Sequence, residues 1–189
     1  MKVTSRQTYR VIREILVQRK FTQYKISKSS KVTFSLVNRV VNWLVRTGYV
    51  ARRKGFYEVT APAAIFGLFP IYRRMKPFAT YQVNVQRKAL LRLLKGKAAL
   101  CLNSALSQYD DYYRDPVVYV YALDDLAEEM LKVIDKGYTR IELYKEDLNG
   151  EDIEKKGQWK TGKVRTIIDL FCANKAYAAE RLVKREWVQ

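Results

Sequence analysis

The chain has 189 residues, 48% of them hydrophobic and 13% aromatic, with 36 Lys/Arg against 19 Asp/Glu for a net charge of +17. That length holds one medium domain or two small ones, and the apolar content supports packed cores rather than disorder. The longest apolar run, 61–72, is broken by Pro62 and Pro70 and is too short for a bilayer, and no signal core follows the first residues, so a soluble, cytoplasmic protein with no membrane partner is expected.

The charge is unevenly placed. Residues 1–80 carry 17 Lys/Arg against two acids, Glu14 and Glu58, a net +15, whereas residues 81–189 are close to neutral at +2. This asymmetry points to a nucleic-acid-binding module joined to a nearly neutral body.

Along the basic part, Tyr9, Val11, Ile12, Ile15 and Leu16 form one apolar stripe, which predicts a helix over Ser5–Val17. Thr22 caps a second, short helix to about Ser29, and Thr33 caps a third that runs to about Arg46 and stops at Gly48. The third helix buries Leu36, Val37, Val40, Val41 and Leu44. On its other side Ser35, Asn38, Arg39 and Asn42 recur at i, i+3, i+4 and i+7. An ordinary solvated face would carry Glu and Lys; this one has none. Asn pairs with adenine edges and Arg with guanine, so the face suits a major groove, with Lys31 and Thr33 at its mouth. Tyr49–Ala51 and Phe56–Val59 read as two short strands around the turn Arg52-Arg53-Lys54-Gly55, whose cations match a phosphate backbone or a minor groove. This order of elements, over roughly residues 5–60, resembles the winged helix-turn-helix family of transcription regulators.

Residues 61–80 are too apolar for a free linker. They are read either as packed between two domains or as a dimer contact, with Arg73 and Arg74 extending the positive surface. Beyond them, Tyr81–Val85, Pro116–Ala122 and Thr139–Lys145 read as strands. Gln86–Lys95, Ala98–Tyr109, Leu123–Ile134 (closed by Gly137), Val164–Ala173 and Ala176–Trp187 read as helices, and 148–162 as a polar loop. The expected architecture is α+β: an N-terminal winged helix-turn-helix (1–60), a connector (61–80) and a small mixed domain (81–189).

Candidate chemistry in the neutral part is sparse. With no His and no CxxC, neither a zinc centre nor a histidine base is expected, and Cys101 and Cys172 read as buried free thiols. Asp110-Asp111 and Asp124-Asp125 lack a preceding Gly-Ser turn, and adjacent residues in a strand point to opposite faces, so neither pair is a metal clamp. Asp124-Asp125 fits a helix start. Asp115 with Glu142 and Lys145 fails a nuclease pattern, because Glu and Lys three apart lie on opposite strand faces. Tyr119 and Tyr121, opposite Val118 and Val120, read as a buried strand rather than as a base-stacking surface. No enzyme activity, cofactor or metal is expected.

The stretch from Ala98 to Tyr109, the strand from Pro116, and Val164-Arg165-Thr166-Ile167-Ile168-Asp169-Leu170 resemble the AbiEi-type antitoxin regulators. The charged loop before Val164 and the apolar segment after the hairpin depart from that pattern. The resemblance implies a nucleotidyltransferase-like second domain and a DNA-binding repressor. It also implies a toxin-like protein partner, or a second copy, meeting residues 81–189. The alternative function is RNA binding or RNA processing.

Overall fold

In the computed structural model, residues 5–71, 73–112, 115–122, 137, 139–147 and 150–187 are described. The fold is mixed α+β, and the chain divides into two units: Met1–Arg74 with Val183–Gln189, and Met75–Leu182.

In the first unit, α1 (Arg6–Gln18) starts at Ser5, whose hydroxyl accepts from the Thr8 N–H at 3.1 Å. The residue after the short β1 (Lys20–Phe21), Thr22, caps α2 (Gln23–Ser30) by accepting from the Lys25 N–H. Lys31, at φ 54° and ψ 38°, turns the chain left-handedly into α3 (Phe34–Arg46), and Ser27 Oγ donates to Val32 O at 2.7 Å across that turn. Thr33 precedes α3 as expected, but its side chain makes no capping bond. The stop at Gly48 is a Schellman motif: Tyr49 N–H bonds to Leu44 O and Gly48 N–H to Val45 O, which requires the left-handed φ of 76° that glycine tolerates. The stripes of α1 and α3 supply the core, with Ile12, Ile15, Leu16, Val37, Val40, Val41 and Leu44 all at 0% exposure. Burying each such side chain contributes about 1.5–3 kcal/mol. Strands β2 (Val50–Arg53) and β3 (Phe56–Val59) form an antiparallel hairpin, and β1 adds to the other edge of β3.

The segment read as a connector lies in the first unit as far as Arg74. It forms α4 (Pro62–Phe66) and a 3-10 turn, Phe69–Ile71. Neither an inter-domain filler nor a dimer contact describes Ile65, Phe66 and Phe69. They are fully buried, and Phe69 meets Tyr9 edge-on at 5.5 Å within the same unit. The last residues of the chain join this core. Trp187 packs edge-on against Phe66 at 5.4 Å, lies under the Arg19 guanidinium at 4.9 Å, and donates from Nε1 to Leu16 O. Glu186 receives Arg19 Nη2 at 2.8 Å.

The second unit is built on a six-stranded mixed sheet of β4 (Ala79–Val83), β5 (Ala98–Leu100), β6 (Val118–Ala122), β7 (Thr139–Lys145), β8 (Ile153–Glu154) and β9 (Lys160–Thr161). Its order is β4-β7-β6-β5-β9-β8. One apolar core gathers Leu90 and Leu94, from and just after α5 (Arg87–Leu93), with Val118, Val120, Ile141 and Leu143 of the sheet. Further helices are α6 (Leu102–Leu106), α7 (Lys163–Cys172) and α8 (Ala176–Trp187), and α6 packs on α7. Cys101 and Cys172 are free and buried.

Two segments differ from the sequence reading, 98–109 and 148–162. Ala98–Tyr109 is not a single helix: Ala98–Leu100 is a strand between β6 and β9, and only Leu102–Leu106 is helical. A short, wholly apolar run buried on both faces carries no period by which strand and helix differ. The polar loop 148–162 contains the small strands β8 and β9. Strands β6 and β7 are parallel neighbours and so need a crossover. The helix expected there, Leu123–Ile134, lies outside the described residues.

Candidate nucleic-acid interface

Ser35, Arg39 and Asn42 are exposed along α3, and Asn38 is half-buried beside them. The amides are pre-positioned. Gln23 Nε2 donates to Asn38 Oδ1 at 3.2 Å, and Asn42 Nδ2 donates to the same oxygen at 2.8 Å. Gln23 Nε2 also reaches the Tyr57 hydroxyl at 3.3 Å, and the Tyr57 ring stacks on Phe21 at 5.7 Å. Tyr57 is the cross-strand partner of Arg52, so both project from one face of the hairpin. Gln23 thereby ties the polar face of α3 to the hairpin face that carries Arg52.

The three hairpin cations differ. Arg52 is exposed on the face shared with Tyr57. Arg53 projects from the other face and pairs through Nε with Glu58 Oε2 at 3.1 Å, while Lys20 Nζ approaches Glu58 Oε1 at 3.3 Å. These two partners, Arg53 first, hold the Glu58 carboxyl below its usual range. Lys54 is exposed at the tip. Of the other sequence-derived residues, Lys31 is exposed in the α2–α3 turn, and the exposed Thr33 hydroxyl bonds nothing among the described residues. Arg74 is exposed, with no bond tying it to α3 or the hairpin, and Arg73 is half-buried after the 3-10 turn.

The geometry adds residues that sequence reasoning passed over. Arg46 is exposed one turn beyond Asn42, and the same spacing that found Asn42 would have found it. Gln23 has no sequence signal, because its role exists only once α2, α3 and β3 meet. Tyr24, on α2 with Lys28 Nζ over its ring at 5.6 Å, and Phe34, the first residue of α3, are 65% and 51% exposed. No Asp or Glu occurs between Glu14 and Glu58. Glu14 is buried and paired with Arg13, so no acid opposes a polyanion on α2 or α3.

In the second unit the polar residues are spent on one another. Arg165, 1% exposed, bonds through Nε to Asp169 at 2.8 Å and through Nη2 to the Tyr121 hydroxyl and Asp147, both at 2.9 Å. Asp115 is desolvated, but hydrogen bonds from Asn103, Val117 and Tyr119, together with Lys175, hold its carboxyl below the usual range. The Tyr119 and Tyr144 hydroxyls are pushed above their usual range by burial and by bonds to Asp115 and Glu142 respectively. Tyr119 and Tyr121 are 2% and 3% exposed, which denies their rings to an unpaired base. Asp110 is buried and faces Arg181, while Asp111 is exposed. Among the described residues no cluster of His, Cys, Asp or Glu could hold a metal ion, and no helix is long and apolar enough to cross a membrane.

Compared with protein families, with curated proteins and with solved structures, the chain matches none.

Proposed function

We propose that the chain is a sequence-specific, double-stranded DNA-binding transcription regulator whose first unit is a winged helix-turn-helix. In this reading α3 enters the major groove, the β2–β3 hairpin is the wing, and the second unit serves oligomerisation or a protein partner, toxin-like if the AbiEi resemblance holds. The chain is then a binder and not an enzyme. One observation carries the reading: Gln23 joins Asn38 of α3 to Tyr57 beside Arg52, so a base-reading edge and the Arg52 face of a phosphate-seeking hairpin form one surface, with Glu58 on the hairpin's other face. Bidentate Asn and Arg contacts discriminate bases by about 1–3 kcal/mol each, and pre-positioned amides reach them with less ordering cost.

The test is a selection from random duplexes, followed by binding of the selected site as duplex DNA, single-stranded DNA and single-stranded RNA. A clear motif with tight duplex binding supports the reading. Equal or tighter binding of the single-stranded RNA would replace it with the RNA-binding alternative.

A further inference from the structure

The second unit contains a cavity of about 400 Å³ whose lining is unlike the rest of that nearly neutral unit. Three lysines, Lys97, Lys145 and Lys155, border it, with Trp159 as the aromatic side chain that offers a ring and alanines from β5 and β6 beside it. Ala98 and Ala122 are cross-strand partners with small side chains at that end of the sheet. The volume lies within the range of small-molecule sites, roughly 300–1,000 Å³.

The electrostatics favour an anion. Among the described residues the one acid in the lining, Glu146, already faces Arg165 at 3.7 Å and accepts from Gly150 N–H at 2.8 Å. Arg165 is shared with Asp169 and Asp147, so Glu146 is only partly compensated, and it is the three lysines against this one acid that leave the described lining positive. Lys145 makes no bond among the described residues, although an unengaged ammonium is a strong donor. The walls favour a flat ring. Trp159 is anchored by its backbone, since Leu100 N–H bonds to its carbonyl at 2.8 Å, and Lys155 Nζ stands 5.0 Å from its ring centroid. That ammonium stands over the indole, so a ring laid on the same face would displace it to the ring's edge, where it can meet an acidic group.

We infer that this cavity binds a planar, negatively charged small molecule, with the ring on Trp159 and its phosphate or carboxylate held by Lys145 and Lys155. The site is independent of nucleic-acid binding by the first unit.

Calorimetric titration of the full chain with four probes tests it: AMP, salicylate, adenosine and inorganic phosphate. At least one ring-bearing anion, AMP or salicylate, should bind at least about tenfold more tightly than adenosine and than phosphate, and which of the two it is identifies the acidic group. Lys145→Gln and Lys155→Gln should each weaken that probe about tenfold with unchanged melting, because both side chains are exposed. Trp159→Leu should weaken it similarly. Arg52→Ala/Arg53→Ala/Lys54→Ala, in the other unit, should leave it unaltered. No binding at millimolar probe, phosphate or adenosine binding as tightly as the ring-bearing anions, or loss of binding in the hairpin variant instead of the lysine variants would each overturn the inference.

Discussion

Asn38 and Arg39 are neighbours with different duties. Arg39 is exposed and makes no bond among the described residues, so Arg39→Ala should leave melting within about 0.5 kcal/mol of wild type. It should nevertheless cost about 1–3 kcal/mol against the preferred duplex. Asn38 also joins Gln23 to Asn42, so Asn38→Ala should lose both affinity and about 0.5–1.5 kcal/mol of stability. Melting curves and binding isotherms on the same variants separate the two. If both bind every duplex as wild type does, α3 is not the reading element. Gly137 makes a second residue-scale case. Sequence suggests only a helix stop, but a Cβ there would stand 2.0 Å from Val83 C and 2.2 Å from Asn84 N. Backbone cannot swing aside as a side chain can. Gly137→Ala should therefore destabilise the second unit by about 1–3 kcal/mol, read by chemical denaturation.

Among the elements, α3 was legible because its apolar and polar positions each follow the helical period and glycine ends it. β5 was not, because three buried apolar residues carry no period, and its place is set by β6 and β9 on either side. The buried pair Arg165–Asp169 was equally hidden, since two charges four apart on a helix normally suggest a solvated face. The hairpin was legible as a shape but not in its pairing. Sequence makes Arg52, Arg53 and Lys54 equivalent, whereas Glu58 draws Arg53 and Lys20 to itself. Glu58→Gln should release both cations and raise affinity for any duplex, while the triple alanine variant of the tip should lower it for all sequences alike. The pH dependence follows the same pairing. The Glu58 carboxyl titrates below its ordinary range, so its ion pairs persist above that range and are lost as pH falls through the depressed value. Fluorescence anisotropy with specific and scrambled duplexes reads these effects; a tip variant that kept its affinity and changed its preference would make the hairpin a base reader.

For the whole molecule, fifteen of the seventeen net positive charges belong to residues 1–80. If roughly six phosphates are engaged, duplex affinity should fall about 10³-fold or more between about 50 and 200 mM salt. A flat titration would remove the electrostatic basis of the proposed function. The same scale holds the feature least visible in sequence, the return of residues 183–187 to the first unit. Trp187→Ala should lower that unit's stability by about 1–3 kcal/mol, less than a fully buried tryptophan would cost, because its ring is only half-buried. Hydrogen exchange in α1 reports it directly.

That return also sets an order of events during synthesis. Residues 5–71 are synthesised before the piece that covers Phe66 and engages Arg19. A nascent chain thus carries its basic helices before Trp187 has closed over Phe66. Chains that stop short of Trp187 would keep the cations of the first 80 residues but leave Phe66 without the indole that packs on it.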